Sequence, residues 1–205
     1  MIVKGKTGLA DNAAIQRTVA ALKTRKIDAV VVESGEAAKE KLIELVPPGA
    51  EIFNNTSETL DLIGYTEYAR RNPRYRNLHD AMEGETDPAR QREARRRATV
   101  AEYFIGSVHA VAETGEIVVA SSSGSQIAAY AFGARHVIWV AGTQKICPTL
   151  SDAVARVQGY TLGKHDRWLE DKGLKPTPIG KLLIFENEVV PGRVRLVLIK
   201  ADLGW

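Results

Sequence analysis

A chain of 205 residues with 28 Lys and Arg against 25 Asp and Glu, 44% hydrophobic and 26% charged, has the composition of an ordinary globular protein. Its length allows one substantial core without disulfide or metal staples. The single cysteine, Cys147, excludes an internal disulfide, a four-cysteine zinc site and an iron–sulfur cluster held by this chain alone.

The formal charge of +3 suits acidic small molecules. Basic and aromatic residues nowhere interleave as in a nucleic-acid module, so no nucleic-acid partner is expected. The longest apolar runs, such as residues 29–32 and 137–141, are far too short to cross a bilayer. The opening Met1-Ile2-Val3-Lys4-Gly5-Lys6 lacks the apolar stretch of a secretory leader. These features predict a cytoplasmic protein without membrane insertion.

Asp11 is placed to cap a helix reaching about Lys26, with Ile15, Val19 and Leu22 at helical spacing. Residues 27–33, IDAVVVE, form a short β-branched run of the kind buried on both faces in a parallel sheet. Ser34 caps a second helix that ends before Pro47-Pro48-Gly49. Residues 51–54 read as a second strand, and Thr56 or Ser57 opens a third helix. This alternation is the rhythm of a doubly wound sheet.

Residues 65–82 gather Tyr65, Tyr68, Tyr75, Arg70, Arg71, Arg74 and Arg76 around Pro73, and read as an irregular or short-helical connection. Such a cluster either reaches over a ligand or, more commonly, shields a core edge. His79 has no obvious partner there. Asp87 and Pro88 start the next helix, with Arg90, Arg92, Arg95, Arg96 and Arg97 as a solvated face. Beyond Tyr103, residues 104–108, 117–120 and 136–141 read as strands, and 125–132 and 151–158 as helices. A further helix lies near 165–169, before a Lys172-Gly173 break. Residues 181–186 and 193–200 look like strands joined by Val190-Pro191-Gly192, which predicts a C-terminal β-hairpin.

Chemistry concentrates in residues 106–146. Glu113-Thr114-Gly115 falls between two predicted strands, where Gly115 can take a positive φ and Glu113 can serve as general base or nucleophile, or simply as a solvated turn residue. Ser121, Ser122, Ser123, Gly124, Ser125 and Gln126 link a strand to a helix. Free N–H groups and hydroxyls there favour an anion, the alternative being a serine-capped helix. Thr143 and Lys145 follow the strand 136–141, where an ammonium at the same sheet edge can pair with a carboxylate or phosphate. His109 is close enough in sequence to Glu113 for a proton-transfer couple, though a structural donor is the commoner role. His136 and His165 read as structural. No His or Cys spacing makes a metal site.

The stretch SVHAVAETG, then SSSGSQ, then GTQKI, followed by Leu150-Ser151-Asp152-Ala153 and the tail from Gly180 to Gly204, resembles the lactate-utilisation (LUD) domain family. The resemblance is clear over residues 103–205 and looser before them. It implies a single domain over residues 1–205, with an N-terminal part (1–102) and a motif-bearing part (103–205). The implied fold is a three-layer α/β/α sandwich on a mostly parallel sheet, NagB/RpiA/CoA-transferase-like. It also implies a role beside iron–sulfur partner proteins in oxidising L-lactate to pyruvate, the cluster ligands sitting on those partners and no cofactor on this chain. Glu113, the loop Ser121 to Gln126 and Lys145 are the shared motif positions. Cys147 departs from the small aliphatic residue usual there. It is bland if packed, and reactive only if exposed beside Lys145.

Three functions fit these residues. One is an accessory subunit of lactate oxidation that binds a small carboxylate, or a partner, through the serine loop and Lys145. The second is an enzyme on a phosphosugar or CoA ester with Glu113 as base or nucleophile. The third is a ligand-binding or regulatory protein without turnover. Oligomeric state is not legible.

Overall fold

The computed structural model describes residues 8–205; residues 1–7, which carry the opening read above as leaderless, lie outside the described residues. Among the described residues, no helix is long and apolar enough to cross a membrane.

Capping chemistry sets the early elements. Asp11 Oδ1 accepts from Ala14 N at 2.8 Å and opens α1 (Asn12–Thr24). Strand β1 (Asp28–Val32) follows, and Ser34 Oγ then accepts from Ala37 N at 3.2 Å at the start of α2 (Gly35–Leu45). After β2 (Glu51–Asn54), Ser57 rather than Thr56 caps α3 (Glu58–Leu62), accepting from Leu60 N. Helix α4 (Tyr65–Arg71) and β3 (Arg76–Asn77) make up the tyrosine–arginine stretch. Its rings pack on one another and on the core edge beside α2, with Lys39 over Tyr68 and Arg74 over Tyr75. Helix α5 (Pro88–Ala98) starts on Asp87 with Pro88 at its first turn.

The main sheet has six parallel strands in the order β1-β10-β7-β4-β2-β3, with β4 (Tyr103–Ser107), β7 (His136–Gly142) and β10 (Val194–Ile199) at its centre. Its inner strands are continuously apolar because both faces are covered. Val137, Trp139 and Ala141 face a core shared with Ile15 and Leu22 of α1, while Ile138 and Val140 face one shared with Leu42 of α2, Leu60 of α3 and Tyr65 of α4. Helices therefore flank the sheet on both sides, as the α/β reading requires.

A second sheet completes the layer on the α1 side. Its order is β8-β5-β6-β9, formed by β5 (Ala110–Ala112), β6 (Ile117–Ser121), β8 (Ile146–Cys147) and β9 (Lys181–Phe185). Val111, Ile117, Val119 and Phe185 pack inward on the first core. Its opposite face, with Ala110, Val118 and Cys147, is covered by Ala153 of α7 (Leu150–Arg156). Strands β5 and β8 are too short for a periodic signal and were not expected.

The C-terminal hairpin does not form. Strand β9 pairs antiparallel with β6 in the small sheet, and β10 runs parallel between β1 and β7 in the large one. Burial explains the separation. Five of the six β10 residues are buried, so β10 needs a neighbour on each side, whereas Leu182 and Ile184 of β9 are exposed, as on an edge. The Val190-Pro191-Gly192 turn does exist, with Gly192 at φ 76° and Arg193 N donating to Val190 O at 3.2 Å, but it carries the chain between sheets. Glu188 anchors it, accepting from Val189 N, Val190 N and Arg193 Nη1.

Candidate functional site

Parallel strands direct their following loops to one edge of a sheet, where ligands of doubly wound proteins bind. Here that edge holds a cavity of about 630 Å³. Asn55 follows β2, Ser107 ends β4 and Lys145 follows β7 of the main sheet, and Ser121, which ends β6 of the small sheet, lines the cavity with them. The volume is within the roughly 300–1,000 Å³ usual for small-molecule sites.

Lys145 forms its floor. A 3-10 turn, Thr143–Lys145, folds it under the sheet edge, leaving it 1% exposed. Its Nζ donates to Ser107 Oγ at 3.1 Å, Val108 O at 3.1 Å and Thr59 Oγ1 at 3.2 Å. Burial, and then the nearby Arg156 guanidinium, pull its pKa down to about 7 against the opposing pull of Glu58 and Asp202. Both protonation states are therefore populated near neutrality.

His109 lies between β4 and β5 and lines the same cavity. Ala120 N donates to its Nδ1 at 3.1 Å, which puts the ring proton on Nε2. Burial, then the charges of Lys145, His165 and Arg156, hold its pKa down to about 3. The ring is a neutral N–H donor at physiological pH, not a base paired with Glu113. Arg156 at the end of α7 donates Nε to His109 O at 3.3 Å and stacks over Tyr160 at 4.6 Å. Its terminal nitrogens are buried without a hydrogen-bond partner among the described residues.

The cavity carboxylate is Glu58, at the first position of α3, where Ser57 caps the helix. Burial raises its pKa, offset in part by Lys145 and Lys164. A π-helical turn, Val157–Thr161, joins α7 to α8 (Leu162–Asp171) and presents Val157 and Thr161 to the cavity, a distortion common beside functional sites. His165 and Trp168 of α8 stack at 5.8 Å, and Trp205 packs edge-on to Trp168 at 6.2 Å, forming an aromatic wall. Phe53 and His79, stacked at 4.3 Å, also line it.

The residues expected from sequence divide into two groups. Ser121, Ser122, Ser123, Ser125, Gln126, His109 and Lys145 line the cavity together; Gly124 is in the same loop with φ 90°, its Cα against the Lys181 side chain. Ser121 Oγ accepts from Gly124 N at 3.0 Å and Ser123 Oγ from Ser125 N at 3.4 Å, so two of the amides expected to face an anion are closed by the loop itself. The helix that follows, α6 (Ser125–Ala128), is four residues long before it passes into a π turn. Thr143 is buried behind the cavity wall.

Glu113 is not at the cavity. Its carboxylate pairs with Arg17 of α1 at 2.7 Å, while Glu113 N donates to Cys147 O. Gly115 takes the positive φ that the turn requires, 98°, between β5 and β6, but that turn lies at the far end of β6 from the serine loop. Cys147 is buried and burial raises its thiol to about 11, the packed rather than the reactive alternative.

Glu58, Ser107, Thr59, Arg95, His79, His165 and Trp168 are cavity residues that the sequence reading passed over or assigned to structure. His79 has a partner after all, donating Nε2–H to Asn54 O at 2.6 Å. One signal was available: polar residues just after an apolar strand in a doubly wound pattern fall at the ligand edge, and Asn55-Thr56-Ser57-Glu58 and Ser107 occupy such positions. Among the described residues, no cluster of His, Cys, Asp or Glu side chains is placed to hold a metal ion.

The chain is thus a mixed α/β protein whose main sheet is parallel, with a cavity at the strand ends and a buried lysine in its lining. A family model described as the LUD domain matches residues 15–168, and the chain belongs to the LUD domain family. A crystal structure of a DUF162 family protein from Deinococcus radiodurans shares the fold, with a TM-score of 0.52 at 14% identity over 94% of this chain and 98% of the other. No curated protein matches the chain.

Proposed function

We propose that this chain binds a small carboxylate of the 2-hydroxy or 2-oxo acid class, such as lactate or pyruvate, as an accessory component of lactate utilisation working beside iron–sulfur partner proteins. Lys145 carries the reading. A buried ammonium ringed by neutral oxygens supplies positive potential to a cavity in a region of low dielectric. All three Nζ donors are used by the protein, so the ammonium acts through its field. The neutral His109 Nε2–H and the hydroxyls of Ser122 and Ser123 supply the direct contacts.

The test is calorimetric titration of L-lactate and pyruvate into the wild type and Lys145→Met, with phosphosugars and CoA esters as competitors. The reading requires carboxylate binding that Lys145→Met abolishes while circular dichroism stays native. Equal binding by both proteins contradicts it.

A second reading has one observation in its favour. Glu58 faces the cavity with a raised pKa, so a proton-transferring enzyme on a phosphosugar or CoA ester would use Glu58 rather than Glu113. Turnover of such a substrate that Glu58→Gln abolishes and Glu113→Gln spares would establish it.

A further inference from the structure

We infer that Ser107 is a nucleophile activated by Lys145, and that the cavity accepts an activated carboxylic ester or thioester that acylates the Ser107 hydroxyl. The inference rests on the cavity being a ligand site and is independent of which anion it prefers.

Four geometric facts carry it. Ser107 Oγ and Lys145 Nζ are 3.1 Å apart, within reach for proton transfer, and both residues line the cavity. Two hydroxyls surround Nζ and line the cavity, 3.3 Å apart, and Ser107 is the more accessible: it is half-buried, whereas Thr59 is 1% exposed and donates to Leu203 O, and the Val108 oxygen is a backbone carbonyl. Lys145 is itself enclosed, so a substrate meets the serine before the amine. His109 Nε2–H lines the same cavity as a neutral donor for a developing oxyanion.

The proton inventory is consistent. In the charged state Nζ donates to Ser107 Oγ, and the Ser107 hydroxyl donates to Val108 O at 3.3 Å. Once Nζ loses a proton, its lone pair accepts from Ser107 O–H, while the two remaining N–H groups stay on Val108 O and Thr59 Oγ1. A lysine held near 7 spends a large share of its time in that form at neutral pH. Serine–lysine pairs of this type perform acyl transfer on unrelated folds.

In the proposed step Ser107 Oγ attacks the carbonyl carbon, Lys145 takes the hydroxyl proton, and the carbonyl π electrons move to oxygen. Collapse of that tetrahedral adduct breaks the bond to the alcohol or thiol, which leaves with the proton from Lys145. Water then attacks the acyl-serine by the same proton route, giving the acid and free Ser107.

The experiment treats the full chain with a fluorophosphonate and, separately, with p-nitrophenyl acetate, reading intact mass, the modified peptide and the burst of nitrophenolate. The inference predicts one adduct, on Ser107, forming faster as pH rises through about 7. The adduct is absent in Ser107→Ala and its rate falls at least ~100-fold in Lys145→Met and Lys145→Arg. Ser151→Ala, on the exposed side of α7, labels as the wild type does. No adduct on the folded wild type, an adduct on Lys145 or on another serine, or unchanged labelling in the Lys145 variants overturns it. Should both Lys145 variants unfold, the wild-type profile decides, a flat rate between pH 6 and 8 being contradictory. Lactate binding without a Ser107 adduct removes this inference alone, and an adduct without carboxylate binding removes the proposed function alone.

Discussion

The Tyr130 hydroxyl donates to the Ser107 carbonyl oxygen at 3.2 Å, and it reaches across the Cα of Gly106 to do so. A Cβ at residue 106 would lie 1.9 Å from Tyr130 Oη and 2.4 Å from Asn55 Oδ1. Tyr130 in turn packs edge-on to Phe104 and Trp139 inside the core, so it has nowhere to retreat. Gly106→Ala should therefore destabilise by the ~1–3 kcal/mol typical of overpacking, whereas Tyr130→Phe should cost ~0.5–1.5 kcal/mol for its hydrogen bonds. Denaturant titration of both variants checks the order; a neutral Gly106→Ala would show that the strand shifts freely.

Glu188 and Arg193 form the buried ion pair that fixes the crossing between the two sheets, at 2.6 Å. Arg193 also donates to the carbonyls of Ala129, Tyr130 and Ala134. Removing one partner leaves the other charge buried, a loss of about 3–5 kcal/mol, so Glu188→Ala should lower the midpoint of thermal unfolding sharply. Burial pushes the Glu188 carboxyl up, but the Val190 amide, Arg193 and the Val189 amide outweigh it and hold the pKa below its ordinary value. The folded state thus releases the proton more readily than the unfolded state. This part of the stability is present above the ordinary glutamate pKa and is lost as pH falls below it.

His109 gives acid sensitivity in a different window. Between about pH 6.5 and 3 the unfolded chain binds a proton on this histidine and the folded chain does not, so stability falls as pH drops through that range. His136, whose pKa burial also lowers, adds the same sign, so the readout is the difference between proteins. Unfolding free energy measured from pH 7 to 4.5 should decline less steeply in His109→Gln than in the wild type. Parallel slopes would mean that the ring is protonated in the fold.

Glu113→Gln should be quiet. The carboxylate meets the exposed Arg17 guanidinium outside the cavity, and exposed pairs contribute about 0–1 kcal/mol. Ligand binding by the Glu113→Gln protein should match the wild type; a loss of binding with native stability would put Glu113 into the site.

The sequence revealed the fold through local chemistry. Asp11, Ser34 and Asp87 announced their helices because a cap acts on the next three residues, and the continuous apolar runs of β1 and β7 announced a parallel sheet because both faces are buried. Pairing was not local. Nothing within residues 181–200 says that β9 joins β6 across 60 positions while β10 slots between β1 and β7, so a sound turn signal at Val190-Pro191-Gly192 produced a wrong hairpin. The site followed the same division. Lys145 and the serine loop were visible because they follow strong strands, but Glu113 and Glu58 are told apart only by the small sheet, which carries the Glu113 turn away from the cavity.

The central claim is that Lys145 gives the cavity its preference for negative charge. Because its pKa lies near 7, bound carboxylate should stabilise the ammonium, draw a proton from solvent at pH 8, and bind more weakly as pH rises. Titration of pyruvate and L-lactate at pH 6 and pH 8, in buffers of different ionisation enthalpy, measures affinity and proton uptake together. The account predicts tighter binding at pH 6, proton uptake at pH 8, and loss of both in Lys145→Met; binding that is pH-independent, proton-neutral and retained in Lys145→Met contradicts it.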